Sequence, residues 1–507
     1  MNKLKSPAKT AGPTVEKGRK TEILRDAGLY AGSSYAATFL DILNGIALRN
    51  LIAPASMGVW SFLQVILSYS EYSTLGTGPA LVREIPFLRG KKEFAKADQV
   101  KNNVFTWSLI ISSVMAIGII GYAFLTHRPL SPQMKWGLVT IAFVTILQRC
   151  YNLYIVLLRA YKTFRLASLS NFLSSAVTLV LSLTVVWKFK FYGLLAGAVL
   201  GYLINLMILH KNSKLRFRLE FDQKILTDLS LFGFSLVAMQ ASMTVLRSVD
   251  ALVIAKWLNF EALGFYSTAL MFQTYLTILP NVADMVFNPH LFEKAGQVAN
   301  HKDLKRNILE PVIAMGCVLP CCIFFSWVTI PVIIRLLMKK YVAGIAAAQI
   351  AILATYFLGA ARPLQSYLIL LKKHLWVIPI TLFAAGISFA MNWYLLLVLH
   401  RGIEAVAWST VLSSGIYFIG LFLLSAHYLI PPREFLEFAL KILGPFLYML
   451  LGVWVLDHLM GGGFQWSRLG LALGVSSGLC LPLLILMEGE THIVSRCFVI
   501  VREKVGR

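Results

Sequence analysis

Charged residues are scarce in this sequence. They make up 14% of its 507 residues, whereas hydrophobic residues make up 57%, and the mean hydropathy is +0.70. Soluble domains contain about 25% charged and about 45–50% apolar residues, so this balance predicts an integral membrane protein. The six cysteines lie in or beside apolar segments and form no CxxC pattern, which argues against a zinc site and against a secreted disulfide framework.

Motifs for catalysis are also missing from the sequence. It contains no nucleotide-binding loop, no metal-binding pattern, no pair of catalytic carboxylates and no nucleophile motif. GVSSG at 474–478 is a patch of small residues in an apolar helix and does not follow a strand as a nucleophile elbow does. Residues 1–20 are polar and basic without an apolar core, so we expect no cleavable signal peptide. The sequence therefore predicts a protein that is not an enzyme and that holds no cofactor or metal.

Long apolar runs, in contrast, occupy most of the chain. Because a helix needs about 20 apolar residues to cross a bilayer, we predict an all-α membrane protein with about fourteen transmembrane helices. The predicted spans lie near 27–53, 57–82, 103–125, 136–158, 166–187, 191–210, 229–256, 262–288, 307–337, 344–371, 374–399, 403–429, 439–457 and 467–488.

Lysine and arginine set the predicted orientation. With the N-terminus in the cytoplasm, 33 of the 47 basic residues lie on the inner side, nine on the outer side and five within spans. Such a bias is typical of cytoplasmic loops, so both termini are predicted to be cytoplasmic. It also explains most of the net charge of +23 without a nucleic-acid partner. The outer loops are all short, and none could form an extracytoplasmic catalytic domain.

Two segments of the chain, 206 positions apart, resemble each other. The aligned pairs are Ser34 with Gln240, Thr38 with Thr244, Asp41 with Arg247, Asn44 with Asp250, and GVWS at 58–61 with GFYS at 264–267. A second pair of positions, Gly193 and Ala196 with Gly402 and Ala405, is 209 apart. Six spans separate the copies, and an even number gives them the same orientation in the membrane.

This duplication predicts two pseudo-twofold-related six-helix lobes around a central cavity, followed by two extra C-terminal helices. The predicted division is a basic cytoplasmic tail at 1–26, an N-lobe at 27–210, a cytoplasmic linker at 211–228, a C-lobe at 229–429, spans 13 and 14 at 439–488 and a cytoplasmic tail at 489–507.

Charged residues within the spans are the candidate functional residues. A charge at the bilayer centre costs at least about 2.5–3.5 kcal/mol on insertion scales, so it normally faces a protein interior or a watery cavity. In span 7, Gln240, Thr244, Arg247 and Asp250 share one helical face. We therefore predict a hydrophilic cavity between the lobes. Its candidate residues are Arg247, Asp250, Asp41, Glu71, Asp284, Arg49, Arg149 and Arg362.

Structural roles remain open for some of these residues. Arg247 and Asp250, three positions apart, could form a self-neutralising pair that only locks helix packing. Arg149 and Arg362 could instead reach toward the cytoplasmic headgroups. Span 9 contains three prolines, and these could mark either a hinge or a static bend.

The chain resembles the polysaccharide transporters of the multidrug/oligosaccharidyl-lipid/polysaccharide (MOP) exporter superfamily. The resemblance rests on two units, LIAPASMGVWSF and WLNFEALGFYSTALMF, and on the entry to span six, GLLAGAVLGY. It extends over essentially the whole length and implies two six-helix lobes around a central cavity. It also implies functional charges in helices 1, 2, 7 and 8, which by position fall on Asp41, Glu71, Arg247, Asp250 and Asp284.

The resemblance implies a flippase for polyprenyl-diphosphate-linked oligosaccharides in the bacterial cytoplasmic membrane, serving O-antigen, capsule or exopolysaccharide synthesis. Its expected partners are the lipid-linked substrate, membrane lipids, and a polysaccharide polymerase with other assembly proteins. Coupling to H⁺ or Na⁺ is open, with Glu71 and Asp284 as candidates. The alternative is a cation-coupled exporter of drugs or other small molecules from the same superfamily. A glycan polymerase or ligase is disfavoured by the short outer loops.

Overall fold

The described part of the chain folds into α-helices joined by turns and short loops. The computed structural model describes residues 13–127, 129–161, 163–213, 215–297, 305–429, 431, 433–459 and 468–491, and these contain no β-strand, so the predicted all-α class is confirmed. The helices are α1 (Pro13–Leu51), α2 (Pro54–Ser70), α3 (Thr77–Gly90), α4 (Phe94–Leu125), α5 (Pro132–Ala160), α6 (Phe164–Leu181), α7 (Trp187–Asn212), α8 (Gln223–Trp257), α9 (Phe260–Leu276), α10 (Ile278–Gln297), α11 (Lys305–Leu337), α12 (Ile345–Leu370), α13 (Val377–Trp393), α14 (Ile403–Leu429), α15 (Phe435–Leu459) and α16 (Leu469–Thr491).

Ten stretches of the described chain are long and apolar enough to cross a membrane, which makes this a multi-pass membrane protein. They comprise α4, α5, α6 together with α7, α8, and α11 to α16. The remaining helices fall outside this set because α2, α3 and α9 are short and because α1 and α10 carry many polar residues. The count of fourteen spans therefore stays a prediction.

The second and eighth predicted spans are each broken in the middle. Between α2 and α3 lies a 3₁₀ turn, Glu71–Thr74, and Gly76 follows it with φ of +92°. Glycine adopts this left-handed conformation because it has no Cβ to clash. Between α9 and α10 the interruption is the single residue Thr277, which keeps right-handed helical dihedral angles and lies 206 positions after Glu71. The two breaks therefore occupy aligned positions.

The fifth and eleventh predicted spans also end alike. α6 continues into a π-helical turn at Ser182–Val186, and α13 continues into one at Tyr394–Val398. Lys190 and His400 then adopt left-handed backbone conformations, with φ of 51° and 48°. Residues 27–210 are here called the first half of the chain, and residues 229–429 the second half. π-Helical turns are rare, so their recurrence at corresponding places agrees with the internal alignment of the two halves.

Two glycines bring the halves together at the predicted outer ends of α2 and α9. A Cβ atom on Gly58 would overlap the carbonyl oxygen of Phe260, and one on Gly264 would overlap the carbonyl oxygen of Pro54. The contact is reciprocal because Pro54 and Phe260 are themselves an aligned pair, 206 positions apart. Small residues at such crossings let membrane helices approach to backbone contact.

The halves meet again at the opposite ends of these helices. There the backbone of Gly76 packs directly against that of Gly233 in α8, and α3 packs along α8. Nearer the middle, the hydroxyl groups of Tyr69 and Ser248 form a hydrogen bond of 2.6 Å between α2 and α8. Contacts between the halves thus occur at both ends of the boundary.

The two C-terminal helices pack along α11. Gly452 of α15 leaves room for the ring of Phe324, and Tyr356 of α12 donates a 2.5 Å hydrogen bond to the carbonyl oxygen of Ile442. Other faces of α15 expose large apolar side chains such as Trp454. These helices therefore lie at the periphery of the described helices.

Candidate functional site

A cavity of about 490 Å³, here called the central cavity, lies where α8 of the second half meets α3 and α5 of the first. Its polar lining includes Glu71, Tyr72, Arg149, Arg159 and Gln240. The lining thus contains two arginines, Arg149 and Arg159, and one glutamate, Glu71. The volume lies within the range of about 300–1,000 Å³ that is usual for ligand pockets.

Glu71 and Arg149 interact with each other in this cavity. The carboxylate of Glu71 accepts a 2.9 Å hydrogen bond from Gln148 Nε2. Arg149 donates a 2.6 Å hydrogen bond to the carbonyl oxygen of Ser70, and its Nε is buried without a partner in the described chain. The guanidinium of Arg149 is thus directed toward the break between α2 and α3, and not toward the headgroups.

Arg247 lies on α8 at the boundary between the halves. Its side chain is exposed although the helix around it is apolar. Tyr72 from the first half, and Arg362 and Tyr417 from the second, are close enough to interact with it electrostatically. No acidic residue of the described chain forms an ion pair with Arg247. Since neighbouring guanidinium groups repel each other, an anion between them would be stabilised.

Asp250 does not line the central cavity. It is 2% exposed, and four neutral groups donate hydrogen bonds to its carboxylate. The donors are Thr410 at 2.6 Å, Tyr266 at 3.0 Å, Asn392 at 3.0 Å and Ser388 at 3.4 Å. Three residues turn an α-helix through about 300°, so Asp250 points about 60° away from Arg247. The carboxylate of Asp250 is held by these four donors and forms no ion pair with Arg247 in the described chain, so the two residues do not form the pair that their spacing allows.

Asp284 and Arg362 border another cavity, of about 520 Å³, with a mostly apolar lining that includes Phe287 and Pro311. It is here called the apolar cavity. Asp284 accepts a 3.1 Å hydrogen bond from Ser366 Oγ and attracts Arg362. Arg362 therefore interacts with Asp284 and also with Arg247, and it joins the apolar cavity to the cationic boundary between the halves.

Asp41 and Arg49 of α1 do not line the central cavity. Asp41 is exposed in a shallow pocket, where Ser175 donates a hydrogen bond to it. Arg49 is 6% exposed and donates hydrogen bonds to the carbonyl oxygens of Gly45 at 3.1 Å and Ser267 at 2.7 Å, and to Ser267 Oγ at 3.2 Å. Because Ser267 belongs to α9, Arg49 links the two halves at their predicted outer ends.

A family model of polysaccharide biosynthesis proteins matches residues 47–346, which is more than half of the chain. The chain belongs to this family. No curated protein matches the sequence at a significant level.

Solved structures show which fold this polysaccharide biosynthesis protein has. An inward-facing multidrug resistance MATE family transporter of the MOP superfamily superposes with a TM-score of 0.66 at 15% identity, covering 77% of this chain and 94% of the other. Lipid II flippase MurJ, in an inward closed conformation, gives 0.65 at 13% identity and covers 91% and 99%. A MOP superfamily transporter from Pyrococcus furiosus gives 0.55 at 14%, covering 83% and 96%. The fold is that of MOP transporters, and the resemblance is confirmed.

Sequence reasoning missed several residues of this polysaccharide biosynthesis protein. Tyr72 and Tyr417 lie beside Arg247, and Arg159 lines the central cavity. Asn392 and Thr410 hold Asp250. The last two are polar residues in otherwise apolar spans, and this polarity was the available signal. The tyrosines gave none, because tyrosine is frequent along the chain.

Proposed function

We propose that this protein is a flippase that carries a polyprenyl-diphosphate-linked oligosaccharide across the bacterial cytoplasmic membrane. Its product would feed the synthesis of a cell-surface polysaccharide such as O-antigen, capsule or exopolysaccharide. Family membership supports the pathway, and the MOP fold supports transport. The observation that carries the proposal is Arg247, which has no acidic partner in the described chain and lies near Arg362.

The boundary between the halves suits the diphosphate group of such a substrate. An anion cannot enter hydrocarbon without a large desolvation cost. Arginine offsets that cost with charge-assisted, often bidentate, hydrogen bonds to phosphate oxygens. Arg247 and Arg362 would provide two guanidinium groups from the second half, and Arg149 would provide one from the first.

The polyprenyl tail needs no polar path and would stay in lipid while the glycan passes between the halves. The apolar cavity supports this division of the substrate. Its lining is mostly apolar, yet Arg362 stands at its edge. An apolar surface beside a guanidinium group is what the junction between a lipid tail and a diphosphate requires.

Alternating access needs two bodies that move against each other. We assign these to two six-helix lobes, residues 27–210 and 229–429, within a set of fourteen spans and with both termini in the cytoplasm. The lobes would rock about the crossing of α2 and α9. The protein would act as a transporter and not as an enzyme, and it would pass its product to a polysaccharide polymerase and other assembly proteins.

We further propose that H⁺ or Na⁺ drives this cycle through Asp250. Besides the carboxylate, the site offers the hydroxyl of Thr410 and the Oδ1 atom of Asn392, which is buried without a partner in the described chain. Oxygen ligands of this kind suit a hard cation. Glu71 and Asp284 are less suited, because each already interacts with an arginine.

A cation-coupled exporter of small molecules is the second candidate. The buried Asp250 favours it, because an intramembrane carboxylate is a frequent site of ion coupling. The cationic boundary around Arg247 disfavours it, since cationic drugs would be repelled there.

Flipping of a fluorescent polyprenyl-diphosphate oligosaccharide in vesicles that contain the purified protein would test the proposal. We expect the natural protein to flip this lipid. Arg247→Ala should slow flipping at least about tenfold, because a hydrogen bond to a charged group contributes about 1.5–3 kcal/mol. Arg335→Ala, which removes an arginine from the last turn of α11, is the matched control and should flip at the natural rate.

Two results would contradict this proposal. If the natural protein does not flip the lipid but takes up cationic dyes in a cation gradient, it is an exporter. If Arg247→Ala flips as fast as the natural protein, the diphosphate does not bind at Arg247.

A further inference from the structure

The first half contains a cavity of about 340 Å³ that the proposed diphosphate site does not use. It lies among α1, α2, α5, α6 and α7 and is here called the side pocket. Within the described chain, no charged residue lines it. Its polar groups include the amides of Asn44, Gln64, Asn152 and Asn205, and Trp60 contributes an aromatic ring.

Three residues of the side pocket occupy the positions that form the Asp250 cluster in the second half. The aligned pairs are Asn44 with Asp250, Trp60 with Tyr266, and Gly201 with Thr410. In the second half, Tyr266 and Thr410 both donate to Asp250 Oδ2, at 3.0 and 2.6 Å, and their hydroxyl groups lie 2.9 Å apart. The second half therefore fills this place with a compact polar cluster.

The first half cannot form the same cluster. Gly201 has no side chain where Thr410 carries a hydroxyl group, and Asn44 is neutral where Asp250 is acidic. The Oδ1 atom of Asn44 is buried without a hydrogen-bond partner in the described chain. A buried acceptor of this kind is unfavourable until a donor reaches it. The same place in the fold is thus an open, uncharged pocket with an acceptor directed into the protein interior.

The lining of the side pocket suits a neutral sugar. The C–H face of a sugar ring packs on an aromatic ring such as that of Trp60, while its hydroxyl groups both donate and accept hydrogen bonds. Amide side chains also offer both a donor and an acceptor. The volume lies at the lower end of the usual range for ligand pockets. A charged ligand would find no opposite charge on the wall.

The side pocket also adjoins the proposed diphosphate site. Asn152 lines both the side pocket and the central cavity. Arg149 precedes it by three positions on α5, so the two side chains are neighbours on one helical face. A substrate with its diphosphate near Arg149 would therefore have its attached sugars within reach of the side pocket.

We propose that the side pocket binds a sugar unit of the lipid-linked glycan. This inference rests on the proposed flippase function and adds that the two halves have different roles in it. The duplicated position binds a neutral sugar in the first half and holds a carboxylate in the second.

Substitution of Gly201 tests this assignment. Gly201→Thr gives the first half the residue of the second half and fills the side pocket. A Cβ atom there would meet Leu181 Cδ1 at 3.7 Å, an ordinary contact, so Gly201→Ala, the smaller companion variant, fits without movement of the helices. Gly118→Thr on α4 is the matched control, because a Cβ atom at Gly118 meets nothing within 4 Å. Gln64→Ala removes a polar group from the pocket without filling it.

Two fluorescent probes would be compared for binding to the purified protein, a polyprenyl diphosphate with an attached oligosaccharide and the same lipid without sugar. We expect Gly201→Thr to weaken binding of the sugar-bearing probe about tenfold, the effect of losing one or two hydrogen bonds and a ring contact. Gly201→Ala and Gln64→Ala should weaken it less. None of these variants should change binding of the sugar-free probe, and Gly118→Thr should change neither.

Two results, if seen in both Gly201→Thr and Gln64→Ala, would overturn the sugar assignment and leave the flippase proposal standing. One is an equal weakening of binding for both probes. The other is unchanged binding of both probes. If the natural protein binds neither probe, the flippase proposal and this inference both fail.

Discussion

Asp250 is surrounded by neutral hydrogen-bond donors, and no arginine balances its charge within the described chain. A buried carboxylate in such a place is costly unless it is protonated or binds a cation. Arg247, one turn away on the same helix, does not supply that cation because it points toward the boundary between the halves. This geometry is the basis for the proposed ion coupling at Asp250.

Thermal unfolding in different salts tests ion binding at Asp250. An ion that binds only the folded protein stabilises it, by about 2.7 kcal/mol at 100 times its dissociation constant. We expect the unfolding temperature of the purified protein to rise in sodium chloride relative to choline chloride. The rise should vanish in Asp250→Asn and persist in Glu71→Gln, a matched neutralisation in the first half.

A sodium response that survives in Asp250→Asn would place the ion elsewhere. A natural protein that does not respond to sodium, but whose transport follows a proton gradient, would assign the site to H⁺.

The sequence indicates which residues are charged within apolar spans, but it does not indicate where each side chain points. Arg247 and Asp250 belong to one polar stripe, yet the structure directs them to different surroundings. The partners of Asp250 include Asn392 on α13 and Thr410 on α14, more than 140 positions away. No local spacing connects these helices to α8, so the cluster could be recognised only once the helices were packed.

The sequence indicates where the crossing of α2 and α9 lies. The repeated units around Gly58 and Gly264 indicate equivalent turns in the two halves, and the structure brings these glycines into backbone contact. The breaks within the second and eighth predicted spans were not predicted. Gly76 in the first half and Pro280 in the second were the available signals, but both residues also occur in unbroken membrane helices.

Alanine at Gly58 should destabilise the crossing. Its methyl group would overlap the carbonyl oxygen of Phe260, which is backbone and cannot rotate away. We expect Gly58→Ala to cost about 1–3 kcal/mol, the usual cost of overpacking, and to lower the unfolding temperature. Gly118→Ala is the matched control and should be neutral or slightly stabilising, because its Cβ meets no neighbour and alanine favours a helix.

Gly264→Ala should behave like Gly58→Ala, since the contact is reciprocal. The double variant should lose less than the sum of the two, because the first methyl group already separates the helices. An unchanged unfolding temperature in both single variants would mean that the helices do not cross so closely.

At the scale of the whole molecule, the position of Arg49 bears on how the two halves contact each other. It joins α1 to α9 at the predicted outer ends, where Gly58 and Gly264 also meet. Tyr341, in the turn before α12, donates a 3.1 Å hydrogen bond to the carbonyl oxygen of Ile52 nearby. These contacts join the halves at the predicted outer side of their boundary, so in the proposed transport cycle Arg49 would help to hold the state that is closed on that side.

Loss of Arg49 should therefore shift the molecule toward a state that is open on the outer side. Its hydrogen bonds to Ser267 exist only while the halves are in contact, so their removal destabilises this state alone. We expect Arg49→Ala to increase labelling of a cysteine at Gln240, in the central cavity, by a membrane-impermeant maleimide added from outside, in a cysteine-free background. Arg335→Ala, which removes an arginine of α11 near the same side, should leave labelling unchanged. Equal labelling in the two variants would show that Arg49 stabilises the fold without controlling access, and the outer closure would then depend on the glycine crossing.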